Sequence, residues 1–401
     1  MAYPNLESLP LEISNEIGSL LKRRDLCKLA RCSKTLNSHY APQIYSTVVT
    51  QSNRGPQYRG LVRRNGKFLR YTQDVCGYIK YLIFMSECRR GEHEFADETM
   101  QAVLNNISHS GSLRLLHWNM THGTVPAFIL QAGFFSQGLV TLSIDLGRSI
   151  KLTQGTYKGI GRLSIRKLSL RNIHYEWDSF LIAHGFITGA QHLSHIELKF
   201  TGQPLAPGLL QEILGPGSCT SSEGKETRDQ FGDLNSLQEL FSATIFGPLA
   251  RSHKPSAIAI QGAPLTTELA SCIDKDKIKE LSLRFCTNHE ETALDDMLPF
   301  LGSLRPGLET LVFVVLYKRF APEKLGDEDS RSPYCTYATY ISRHSASLKN
   351  IALHESSGTG IDRELLYPGE TIVAKAKNLS PTQVSLTIET DFSQVDPISV
   401  Y

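Results

Sequence analysis

Past residue 75 the chain keeps returning to one arrangement: an apolar residue, two others, an apolar residue, one other, an apolar residue. It occurs as Ile79-Leu82-Phe84, Leu113-Leu116-Trp118, Leu139-Leu142-Ile144 and Ile165-Leu168-Leu170. It continues as Leu193-Ile196-Leu198, Ile278-Leu281-Leu283, Leu308-Leu311-Phe313 and Leu348-Ile351-Leu353. The middle members Leu116, Leu142, Leu168 and Ile196 are 26, 26 and 28 residues apart, and Leu281 and Leu311 are 30 apart. Alternate residues of a strand share a face, so the second and third members of each triplet point inward together, while the first enters the core from the preceding turn. Between the triplets, Val125 to Phe135, Ser179 to Thr188 and Ala293 to Leu304 carry apolar residues at helical spacing. Short strands alternating with return segments at such a period predict an α/β repeat array with parallel strands.

The first fifty residues follow another rule. Ile13, Ile17, Leu20 and Leu21 fall on one helical face, with Pro10 placed to start the helix. Asp25 is expected to cap a second short helix carrying Leu26 and Leu29, and Ser33 a third carrying Leu36 and Tyr40. Three helices this short have too little interior to bury all their own apolar surface, so some of these leucines need a partner.

The run from Leu9 to Val48, with its Leu-Pro opening, spaced isoleucines, Asp25-Leu26 and Ser33-Lys34, resembles an F-box. It departs from the usual pattern at Cys32, where a valine is common, and at Leu36, where a tryptophan is common. The resemblance implies docking on the Skp adaptor of cullin–RING ubiquitin ligases, through Leu9, Pro10, Ile13, Ile17, Leu20, Leu21, Leu26 and Leu29. The body is similar to leucine-rich repeats. One unit, Ile278, Leu281, Leu283 and Cys286, resembles the cysteine-containing kind, in which a small polar side chain bonds the exposed backbone of the turn; Thr121, Thr201 and Ser356 stand at the corresponding place elsewhere. Fungal-type F-box proteins with degenerate leucine-rich repeats look similar throughout.

The expected architecture is therefore α/β: an N-terminal three-helix F-box over 1–50, a helical or loop joint over 51–74, and an irregular leucine-rich-repeat solenoid over 75–390 with a parallel sheet on its concave face. The period lapses between Thr201 and Ala257. Residues 202–235, rich in Gly, Pro, Ser and charge, predict a flexible insertion, with two further units near Leu237-Leu240 and Ile258-Ile260. Gly326 to Pro333 reads as a loop, and Val384-Leu386-Ile388 as a terminal strand.

Composition narrows the setting. Of 401 residues 41% are hydrophobic and 20% charged, which describes a globular chain, and a net charge of +2 gives no reason to expect nucleic acid or an anionic membrane as partner. The basic runs Lys22-Arg23-Arg24 and Arg63-Arg64 read as solvated faces. The N-terminus has no apolar h-region and Leu311 to Tyr317 is too short to span a bilayer. Eight scattered cysteines fit a reducing compartment, cytoplasmic or nuclear.

No catalytic constellation stands out. The stretch Gly217 to Lys225 has the wrong glycine spacing for a phosphate loop, and Glu226 sits where a magnesium-binding hydroxyl is needed. His192 and His195 are three apart on a predicted strand and face opposite sides; no Cys-x-x-Cys, second zinc-protease histidine or nucleophile elbow occurs. No metal or cofactor is expected. The outward strand positions are the better candidates: Tyr81, Ile83 and Met85; His117 and Asn119; Thr141, Ser143 and Asp145; Ser169; His195 and Glu197; Glu280 and Ser282. Lys167, Arg171, Lys199 and Arg284 among them suggest a basic strip for an acidic or phosphorylated peptide, with Glu197 and Glu280 available to balance it. The expected function is non-enzymatic: a substrate-recognition subunit of a Skp–cullin–F-box ligase in ubiquitin-dependent degradation. The alternative is a repeat scaffold that recruits no ligase.

Overall fold

A computed structural model describes residues 6–52, 76–86, 107, 111–120, 138–146, 163–190, 192–201, 213, 234, 237–252, 255–264, 267–274, 277–284, 308–317, 350–357 and 385–386. The chain divides into two compact units, Met1–Leu168 and Ser169–Tyr401.

The first unit opens with a 3-10 turn, Leu6–Ser8, and helices α1 (Leu11–Leu20), α2 (Arg23–Ala30) and α3 (Lys34–Ile44). Pro10 precedes α1 as expected, and the Ser33 hydroxyl caps α3 by accepting from the Leu36 amide at 3.1 Å. Asp25 does not cap. Helix α2 starts two residues earlier, and the carboxylate lies in its first turn, 3.5 Å from Lys28. Leu26, Leu36, Tyr40 and Ile44 form the core of this head, with Leu21, Cys27, Leu29, Ala30 and Tyr45 packed partly against it.

Strands β1 (Thr47–Ser52), β2 (Tyr81–Ser86), β3 (Leu115–Met120) and β4 (Thr141–Asp145) follow, each parallel to the one before. The registers give the sequence repeat its physical meaning. Val48, Leu82, Leu116 and Leu142 stand side by side, and so do Thr50, Phe84, Trp118 and Ile144. Leu82, Leu116, Leu142, Trp118 and Ile144 are buried, as are the leading members Ile79, Leu113, Leu139 and Ile165. Each such aliphatic side chain contributes about 1.5–3 kcal/mol relative to leaving it in water. A recurring backbone device sets the phase at each strand entry. One carbonyl accepts two successive amides from the next unit: Ser46 from Lys80 and Tyr81, Lys80 from Arg114 and Leu115, Arg114 from Val140 and Thr141, Val140 from Arg166 and Lys167.

Strand β5 (Lys167–His174) begins in the first unit and continues in the second. In the second unit it is followed in sheet order by β6 (His195–Thr201), β7 (Ala257–Gln261), β8 (Glu280–Arg284), β9 (Thr310–Tyr317), β10 (Asn350–Ser357) and the short β11 (Ser385–Leu386). From β6 onward the pairing is parallel, with Ile196, Ile258, Leu281, Leu311, Ile351 and Leu386 in line. The shared carbonyl returns at Ser194, Ser256 and Lys279. The expected units at Ile258-Ile260 and Leu386 are thus strands.

Two departures have clear causes. In β5, Asn172 adopts φ 52°, and the buried positions shift from Leu168 and Leu170 to Ile173 and Tyr175, the signature of one extra residue in the strand. Thr201 donates to the Asn172 side chain at 3.0 Å, rather than to turn backbone as expected. Leu237-Leu240 is helical, not a strand entry: apolar residues three apart suit either structure, and here they belong to α5 (Leu237–Phe241). That helix widens into a π turn, Ser242–Phe246, and resumes as α6 (Gly247–Ser252). Neighbouring side chains meet the carbonyls of the widened turn: His184 Nδ1 lies 2.7 Å from Thr244 O and the Cys272 thiol 3.2 Å from Phe246 O. His184 belongs to α4 (Trp177–Gly189), covering the predicted helix over Ser179 to Thr188, and Cys272 ends α7 (Thr267–Cys272). Tyr175, Phe180, Phe200 and Phe241 close the core beside them. Phe241 lies 5.0 Å from Phe180 and 4.7 Å from Phe200 between ring centroids, and the Tyr175 hydroxyl donates to Gly262 O.

The predicted helices over 125–135 and 293–304, the loop over 326–333, residues 53–75, and Thr121 and Cys286 lie outside the described residues; of 202–235 only Ile213 and Leu234 are described.

Candidate functional site

An amphipathic helix on the surface of a domain normally turns its apolar stripe inward. Helix α1 does the opposite. The residues it buries are Ser14 and Gly18, four apart on one face, whereas Leu11 is 52%, Ile13 44% and Leu20 83% exposed. Glycine at 18 leaves room for the Gln43 side-chain amide of α3, which occupies the space a Cβ would take. That amide donates to both the backbone and side-chain oxygens of Asn15, at 3.1 Å each. The contact between α1 and α3 is accordingly polar. Ser14 Oγ, the Tyr40 hydroxyl and Gln43 Oε1 are buried within the head without a hydrogen-bond partner among the described residues. Intramolecular packing therefore gives no reason for isoleucine and leucine on the outer side.

The eight residues expected to dock a partner separate into layers. Pro10, Ile13 and Leu20 are exposed, and Leu9, Ile17, Leu21 and Leu29 are half-buried. Leu26 is 5% exposed and belongs to the head's own core, where it supports the surface instead of forming it. Leu6 and Leu11 are exposed and were not among the eight. Leu11 adjoins the Leu-Pro opening but falls off the Ile13–Ile17–Leu20 stripe, so spacing alone passes over it.

On the sheet, the four expected cations do not form one uniform strip. Lys167 is exposed at the start of β5. Arg171 is neutralised: its Nη2 lies 3.1 Å from Glu197 Oε2, which also accepts from the Ser169 hydroxyl at 2.5 Å. Lys199 and Arg284 stand in register on either side of Gln261. Ser143 and Asp145, expected on the open face, are 9% and 6% exposed. Alternation fixes the side to which a residue points, not whether that side is open to water.

Among the described residues no group of His, Cys, Asp and Glu is placed to hold a metal ion, and no helix is long and apolar enough to cross a membrane. The thiols divide by environment: Cys32 is exposed, whereas burial, reinforced by the Glu268 carboxylate, pushes the Cys272 thiol up to about 12. The stretches Gly217 to Lys225 and His289 to Glu291 lie outside the described residues. No protein-family model matches the chain, and no curated protein matches it.

Proposed function

We propose that the chain is the substrate-recognition subunit of a Skp–cullin–F-box ubiquitin ligase, acting in the cytoplasm or nucleus and performing no covalent chemistry itself. One observation carries this reading: α1 spends its small residues on the intramolecular contact and holds Ile13 and Leu20 out to solvent. Exposed apolar residues grouped on one short element mark a protein-binding face. The Leu-Pro opening and Ser33 cap that suggest an F-box occupy the same element group. The strands would present a protein substrate on their outward side, with the positions of Lys199 and Arg284, which share a register row, offered to an acidic or phosphorylated segment. Its contribution to ubiquitin transfer is proximity and orientation.

Co-expression of the full chain with the Skp adaptor and a cullin, followed by size-exclusion chromatography, tests the reading. A stoichiometric complex containing both is expected, and Ile13→Asp with Leu20→Asp should abolish it. An adaptor complex that excludes cullin would favour a scaffold outside the ligase. No complex from a folded chain would overturn the adaptor role.

A further inference from the structure

The charge of the head is sorted along the chain. Residues 6–21 hold the carboxylates Glu7, Glu12 and Glu16 and no Lys or Arg, whereas residues 22–34 hold six cations and one carboxylate. The whole chain, by contrast, is close to neutral at +2. Helix α2 organises these cations. Arg24, Lys28 and Arg31 recur at four- and three-residue spacing on the side opposite Leu26, and all three are exposed, as are Lys22, Arg23 and Lys34. Of the six, Lys28 has an ion-pair partner in Asp25, and the others have none among the described residues. The chain joins this stripe directly to Leu20, the most exposed large apolar residue described.

We propose that the partner covering the open face of α1 is a protein surface that is acidic where it meets α2. This inference rests on the docking role proposed above and adds the partner's charge. Six like charges concentrated over thirteen residues raise a local positive potential, which speeds encounter with an acidic surface and opposes a basic one. Two other polyanions fit less well. A membrane-surface helix carries Lys and Arg opposite its apolar face, but the polar residues of α1 include exposed Glu12 and Glu16, which repel anionic headgroups. Single-stranded nucleic acid needs aromatic platforms for its bases, and the exposed large apolar residues of the head are Leu6, Leu11, Ile13 and Leu20.

The test is the association rate of the full chain with the Skp adaptor across about 50 to 500 mM salt, for wild type, for Arg24→Glu/Lys28→Glu/Arg31→Glu, and for the corresponding triple glutamine variant. Wild-type association should slow about tenfold or more over that range. Charge reversal should slow it about tenfold at low salt and flatten the salt dependence, while dissociation changes less than about threefold; the glutamine variant should fall between. The substituted side chains are exposed, so circular dichroism should be unchanged. A reversal variant that associates as fast as wild type overturns the inference while leaving adaptor docking intact. If the adaptor does not bind at all, the docking role fails by itself, and fluorescence anisotropy with a polyglutamate peptide decides the charge question. Wild-type binding that is lost on reversal supports an acidic protein partner; no binding overturns it. Tighter binding to phosphatidylserine vesicles or single-stranded RNA than to adaptor and peptide also overturns it.

Discussion

Replacing Ile13 and Leu20 together by alanine should separate docking from folding. Leu20 is 83% and Ile13 44% exposed in the free chain. Complete burial of such a side chain is worth about 1.5–3 kcal/mol, so scaled by exposure the pair offers a partner about 2–4 kcal/mol. That corresponds to roughly thirtyfold to several-hundredfold in Kd. The fold has much less at stake. It loses the covered part of Ile13, about 1 kcal/mol, and regains a few tenths because alanine is the better helix former. Calorimetric titration with the Skp adaptor gives the first quantity and the urea midpoint the second. Leu36→Ala is the opposite control: at 5% exposure in the head's core, it should cost about 2–5 kcal/mol of stability. A double variant that binds within about threefold of wild type would refute the assignment of this face. A midpoint shift equivalent to more than about 2 kcal/mol would instead show that the two side chains belong to the core.

Other positions test the body. Phe241→Ala removes the ring at the centre of the aromatic cluster and should cost about 3–5 kcal/mol in urea unfolding, whereas Tyr81→Ala on the open face should stay within about 0.5 kcal/mol. Cys32 should react with iodoacetamide in the native chain, and Cys272 only after denaturant is added. Because the folded Cys272 thiol keeps its proton to about pH 12 while its ordinary value is 9.0, the unfolded state alone releases a proton between them; stability should therefore fall as pH rises from 9 toward 12. Asn172→Gly suits φ 52° but removes the acceptor of the Thr201 hydroxyl, so it should cost about 1 kcal/mol in urea unfolding, and Asn172→Ala, which also keeps a Cβ in the left-handed region, about 1 kcal/mol more.

The strands of the body were legible because parallel stacking in constant register demands the same inward phase from every unit. Ile79-Leu82 and Ile278-Leu281-Leu283 state that phase in apolar residues alone. Where the phase is met by a polar residue, sequence is silent: β1 aligns Thr50 with Phe84, so no triplet announces it. The bulge at Asn172 was equally hidden, since an asparagine between apolar residues is an ordinary exposed position until its φ is known. The head divides the same way. Spacing identified the apolar face of α1, but only packing shows that Ser14 and Gly18 take the inner side. The registers place Lys199 and Arg284 in one row, whereas the pairing of Arg171 with Glu197 depends on side-chain reach that spacing does not encode.

The passage from α3 to β1 has a mechanical consequence. Helix α3 ends at Ile44 and β1 begins at Thr47. Between them the Ser46 hydroxyl donates to Gln43 O, and the Ser46 carbonyl holds the amides of Lys80 and Tyr81. Nothing in that joint has the length to act as a tether. A cargo held on the strands of this unit would sit at a set distance and angle from whatever grips α1, so the joint works as a ruler and not a leash. A leash lets many lysines of a cargo sample the transfer site at an effective concentration set by chain length; a ruler admits those that geometry happens to place there. If the chain has the ligase role proposed above, selectivity among lysines would then be written into Tyr45 and Ser46, the two residues between helix and strand.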